Sequence, residues 1–165
     1  MSPLLDGLAA QVVGGIRLAS PAEAMPVLDR WATDPDFWVR RSSLLAELLA
    51  HRSGADLAPF LRRAEQMLDE KEFFIRKAIG WVLHEAGKRR PSEVAAWLVL
   101  RTHRSSGVTM REAVRWLPAD DRDRLMDAYR VKRSAGRAQA TPSGRFVRLC
   151  TCGAQIGLTP QVGLG

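Results

Sequence analysis

Residues 73 to 90 read FFIRKAIGWVLHEAGKRR, and the spacing of their apolar side chains decides the fold. At about 100° per residue, Ile75, Ala78, Ile79, Val82 and Ala86 fall on one continuous stripe, the pattern of a helix with one buried face. Trp81 lies off the centre of that stripe, on the flank it shares with Phe74, Lys77 and Lys88. An aromatic ring among cations is thereby placed beside the core and not within it. Lys88, Arg89 and Arg90 close the segment, and Pro91 breaks it.

The same period extends in both directions. Towards the N-terminus, Met1 to Gly15 reads as a helix with Leu5, Leu8, Ala9 and Val12 on one face and Gly14 and Gly15 as its stop. Ser20, Pro21 and Glu23 supply a cap, a first-turn proline and a capping-box acid for a second helix to about Thr33. Asp34 and Pro35 start a third, ending near His51, whose stripe is Trp38, Ser42, Leu45, Leu48 and Leu49 with Arg41 on the same face. Leu57, Phe60, Leu61, Ala64 and Leu68 mark a fourth helix over Ala55 to Asp69. Beyond the opening stretch, Val94, Ala95, Leu98 and Val99 follow Pro91. A capping box from Thr109 to Glu112 precedes a seventh helix to Leu117, and an eighth covers Ala119 to Val131.

No strand-period alternation competes, so the expected class is all-α. Helices paired in units of roughly 40 residues predict an α-solenoid. Identity between the units is weak, so this rests on spacing, and an orthogonal helical bundle is the alternative. Residues 1–131 are the expected helical-repeat domain. From Lys132 to Gly165 acids vanish and periodicity stops, which predicts a basic, disordered tail.

The net charge of +7 needs dividing before it is read. Residues 1–131 hold 20 Lys and Arg against 18 Asp and Glu, and residues 132–165 hold 5 against none. The middle, residues 38–115, is nevertheless locally basic at 15 against 9. No apolar run reaches membrane-spanning length and no leader pattern opens the chain, so a cytoplasmic protein without a membrane partner is expected. Cys150 and Cys152, one residue apart, make a poor metal site and a poor disulfide. His51, His84 and His103 show no ligand spacing, and neither a metal nor a cofactor is expected.

Three side chains stand out as candidates for chemistry. Arg41, on an apolar face and permanently charged, needs a carboxylate, a route to solvent or a phosphate. Trp81 is either a packing residue or, with Lys77 and Lys88 beside it, part of a surface that meets an anion or a base. Asp6 has no Lys or Arg within four residues; it is either solvated or partnered by a tertiary neighbour or a ligand. Arg40, Arg76, Arg89, Arg90, Arg104 and Arg111 read as a solvated rim or as parts of a basic face.

The strings WATDPDFWVRRSSLLAELL (31–49), EFFIRKAIGWVLHEAGKRRPSEV (72–94) and REAVRWL (111–117) together resemble the bacterial AlkD-type DNA alkylation repair proteins. The likeness runs from about residue 4 to 131, and its most specific pieces are Trp38-x-x-Arg41 and the run from Phe73 to Trp81. It implies HEAT-like helical repeats whose concave basic face holds duplex DNA. It also implies hydrolysis of the N-glycosidic bond of N3- or N7-alkylated purines, without burial of the base in a pocket. Carried over residue by residue, Asp6 resembles the catalytic aspartate, eight residues before Gly14, and Trp81 resembles one of two active-site tryptophans. Arg41 resembles the DNA-contacting arginine; Trp38, Lys77, Arg40, Lys88 and Arg89 are expected to bind DNA beside it.

One position departs from the family pattern. The other tryptophan stands four residues before the aspartate, and here that position is Ser2. Family chains carry further helical repeats before this point, so the departure predicts an N-terminally shortened member with weak or absent excision. The alternative is a non-catalytic DNA-binding helical-repeat protein.

Overall fold

The computed structural model describes residues 3–139 of the 165-residue chain. All regular structure among them is helical. α1 (Pro3–Gly7), a π-helical segment (Leu8–Val13) and α2 (Gly14–Ala19) run on without interruption as one rod. Gly14 and Gly15 therefore do not stop the first helix. Gly14 serves a close approach: a β-carbon there would lie 3.0 Å from the Ala46 carbonyl oxygen of the adjacent helix.

α3 (Pro21–Trp31) follows, then α4 (Phe37–Leu45) and α5 (Glu47–Arg52), joined through Ala46. The start of α4 is set by Asp36, whose carboxylate accepts the Trp38 N–H at 2.8 Å. α6 (Ala58–Gln66) and α7 (Phe73–Gly87) come next, the latter ending just before the basic run Lys88–Arg90. Pro91 opens α8 (Pro91–Arg101). α9 (Gly107–Ala113) begins two residues before the expected cap, because Ser106 and not Thr109 caps it, accepting the Thr109 N–H at 3.1 Å. A 3-10 turn (Val114–Trp116) leads to α10 (Ala119–Gln139). α10 continues to Gln139, past the point where the sequence places a disordered tail. The rest of that expectation, with Cys150 and Cys152, falls outside the described residues, as does Ser2.

The helices stack in two rows. The first row places α1–α2 beside α4–α5, these beside α7, and α7 beside α9. The second row, α3, α6, α8 and α10, packs behind it, with α3 against α2 and α4, α6 against α4, and α8 against α7 and α10. Such stacking of helix pairs is the expected repeat architecture. The α7–α9 contact is tight because Gly80 lacks a side chain: a β-carbon there would lie 2.9 Å from the Glu112 β-carbon. Ile75, Ala78, Ile79, Val82 and Ala86, the stripe of the opening stretch, are all buried. They join Leu44, Leu45, Leu48, Leu57, Phe60, Leu83, Val94, Leu98 and Met110 in one continuous core.

His51, on α5, is buried with its ring edge-on to Phe60 at 5.6 Å. Burial, with Arg17 and Arg90 close by, pulls its imidazole down to about 4 from 6.5. An unfolded chain binds a proton at His51 below the ordinary value, whereas the native state does not until about pH 4. Stability from this residue is therefore complete above that ordinary value and falls with pH towards the depressed one, by up to about 3 kcal/mol. Glu47, whose carboxyl burial raises, acts with the opposite sign. The difference between wild type and His51→Gln isolates the histidine: urea midpoints from pH 7 to pH 4.5 should fall less steeply in the variant.

Candidate active site

Asp6 has a tertiary partner. Its two carboxylate oxygens accept from Arg41 Nε and Nη2, both at 2.8 Å, in a bidentate pair between α1 and α4. The third arm of the guanidinium, Nη1, donates to the Phe74 carbonyl oxygen at the start of α7. Arg41 is 1% exposed and Asp6 7%, so the pair is shielded from solvent. Asp6 is thus fixed by an arginine from α4 that is itself held to α7. The fork uses about one lone pair on each oxygen, leaving about two of the carboxylate's four for a further donor.

Asp6 also lines an open cleft of about 320 Å³ with Gly7, Ala10, Gln11, Leu48, Arg52 and Trp81. Four of these seven residues belong to α1 and the π-helical segment that follows it. A π-segment shifts the register of the side chains along a helix, and such segments concentrate at functional sites. Trp81 faces the same cleft from α7, half-buried and packed against the core. Residues 75 positions apart in sequence thereby share one cleft.

The remaining site candidates divide. Trp38 is half-buried, its ring 4.5 Å from Phe37 and 5.2 Å from Phe74, and it lines a separate cleft with Trp31, Asp34 and Asp36. Arg41 is expected from sequence to touch DNA, but its guanidinium is buried and committed to Asp6 and Phe74. Arg40 turns away to Glu70, with two bonds of 2.9 Å, and to the carbonyls of Asp34 and Pro35. These contacts, led by Glu70, raise its already high pKa. Lys77 is half-buried on α7. Lys88 and Arg89 are exposed beyond the end of α7, with Lys88 bonded to Glu85 at 2.6 Å.

Arg52 and Gln11 are cleft residues that the sequence reading does not single out. Arg52 donates to Glu85 at 3.2 Å, which brings a cation to the Trp81 side of the cleft. Burial, with Lys88 close by, lowers the pKa of the neighbouring His84. Among the described residues no group of three or more His, Cys, Asp and Glu is arranged to hold a metal ion. No described helix is long and apolar enough to cross a membrane.

Residues 3–117 match the model of the DNA alkylation repair enzyme family. The chain belongs to that family. The matched region contains the whole cleft and the first row of helices. A solved structure described as a predicted DNA alkylation repair enzyme from Enterococcus faecalis is similar in fold, with a TM-score of 0.62 and 23% identity. The match covers 70% of this chain and 52% of that one, so this family member spans about half the length of the solved protein it matches. No curated protein gives a significant match.

Proposed function

We propose that this chain carries a site for releasing N3- or N7-alkylated purines from duplex DNA by hydrolysis of the N-glycosidic bond. The observation that carries the reading is the shared cleft: a fixed carboxylate, Asp6, and an aromatic side chain, Trp81, line it together. An alkylated purine of this kind is already cationic. When the bond to C1′ breaks, its electron pair leaves with the base, which departs neutral, and positive charge develops on the sugar. A carboxylate near that sugar stabilises the developing cation and orients the water that adds to C1′. The indole face packs on the deoxyribose and adds attraction to the cationic centre. Asp6 is suited to this because the Arg41 fork sets its orientation and leaves lone pairs for a further donor. The openness of the cleft agrees with chemistry on a base that stays outside a protein pocket.

One observation favours a second, non-catalytic reading. Among the described residues lining the cleft, Trp81 is the one aromatic. A single wall grips the sugar less firmly than two, and duplex binding without excision is the corresponding function.

Release of 7-methylguanine from a duplex under single-turnover conditions separates the two readings. Asp6→Asn should slow release by about 100-fold or more, the scale for loss of a group that stabilises transition-state charge. Trp81→Ala should cost about tenfold, because it removes a sugar and cation contact. Unchanged release in both variants would remove Asp6 and Trp81 from the site. Duplex binding with no release by the wild type would select the second reading.

A further inference from the structure

Of the five tryptophans, Trp116 alone is exposed: it is 59% accessible, whereas Trp97 is buried and Trp31, Trp38 and Trp81 are half-buried. Its indole presents a large apolar face to solvent. Its surroundings are specific. Lys88 Nζ lies 5.5 Å from the centre of its ring, and His84 meets it edge-on at 6.0 Å. Lys88 is held by Glu85 at 2.6 Å, and Glu85 in turn accepts from Arg52, a lining residue of the Asp6–Trp81 cleft, at 3.2 Å.

These contacts form one continuous strip. Trp81, Glu85 and Lys88 stand at i, i+4 and i+7 and so share a face of α7 and its C-terminal end. Trp116, from the turn after α9, extends that face past the end of the helix. The two carboxylates of the strip, Glu85 and Glu112, are each matched by a cation: Glu85 by Arg52 and Lys88, and Glu112 by Arg115 at 3.7 Å. An aromatic face with a lysine held beside it is the pairing that meets a sugar on one side and a phosphate on the other.

We infer that Trp116 and Lys88 form a second contact point for duplex DNA, gripping the sugar–phosphate backbone beyond the cleft. The choice of DNA as occupant rests on the proposed repair function, since the strip leads directly out of that site. Seven residues at about 1.5 Å each put Lys88 about 10 Å from Trp81 along the helix. At about 3.4 Å per step this is about three base pairs. The contact therefore fixes the register of the duplex over Asp6 without touching the reacting base.

The test is fluorescence anisotropy of a labelled, undamaged duplex with the full chain, across a salt series. Trp116→Ala, at an exposed position, should keep the thermal midpoint and bind about tenfold more weakly. Trp116→Phe should retain most of the affinity. Lys88→Gln should lower the slope of log affinity against log salt by about one, whereas Trp116→Ala should leave it unchanged. Duplexes with the alkylated base placed two base pairs from one end or the other should differ: the Trp116→Ala effect should vanish for one orientation alone.

Wild-type affinity in Trp116→Ala would overturn the inference and leave the repair reading standing, with Trp116 a cover for His84. Weakened binding by Trp116→Ala alongside a wild type that releases no base would uphold the contact and sink the catalytic reading. A wild type with no duplex affinity would overturn both.

Discussion

Arg41→Ala should destabilise the protein by about 3–5 kcal/mol, the scale for leaving one member of a buried ion pair without its partner. The loss has two parts. The Asp6 carboxylate, 7% exposed, loses both its charge-assisted bonds, and the Phe74 carbonyl loses its donor at the entry to α7. Arg41→Lys should recover little, because one ammonium cannot supply a two-pronged fork to a carboxylate and a third bond to a carbonyl. Replacing both members by apolar residues, Arg41→Met with Asp6→Leu, should recover most of the stability, since no buried charge is then stranded. Base release should be lost in that double variant all the same. Urea unfolding midpoints for the four proteins read out the first effect, and single-turnover release reads out the second. If Arg41→Ala unfolded at the wild-type midpoint, the pair would not be what fixes Asp6.

Glu47→Ala should cost as much or more. Glu47 is 0% exposed and sits between two arginines: Arg17 on α2 at 3.3 Å, and Arg63 on α6, whose Nη2 it also meets directly. Arg63 continues to Asp29 on α3 at 2.6 Å. Three helices meet at this one carboxylate, and Arg63 links a fourth, α3, through Asp29. Its removal strands the buried Arg17 and leaves the buried Arg63 with the half-exposed Asp29 as its remaining carboxylate. A loss of about 3–5 kcal/mol or more is expected, a large share of the roughly 5–15 kcal/mol that holds a domain folded. Asp29→Ala provides the contrast: that carboxylate is half exposed, so its pair is screened and should contribute no more than about 1 kcal/mol. Equal midpoints for Glu47→Ala and Asp29→Ala would show that burial does not set the strength of this network.

The Asp6–Arg41 pair shows how far sequence reasoning reaches. Each residue is conspicuous by itself: a carboxylate without a cation nearby in sequence, and an arginine on an apolar stripe. That each needs something is legible from its charge and its neighbours. That each is the answer to the other is not, because they stand 35 residues apart and no local pattern connects them. Glu47 carried the same local signal, a carboxylate within the apolar run from Leu44 to Ala50, but its partners on α2 and α6 had no mark. Gly14 marks a different limit. A glycine near a helix end reads as a stop, whereas here it admits the Ala46 carbonyl of a neighbouring helix.

What the sequence by itself determined is the helical class, the approximate helix starts and the buried face of the opening stretch. Those depend on the 3.6-residue period, on prolines and on caps, all of which act within a few residues. Tertiary structure decided what the flanking residues of that stretch do. Only the stacking of α7 between α5 and α9 brings Trp81 into one cleft with Asp6 and leads the same face on through Glu85 and Lys88 to an exposed Trp116. The spacing of Trp81 and Lys88 is a property of one helix. Their company is a property of the stack, and it is decided by distances that the linear chain does not encode locally.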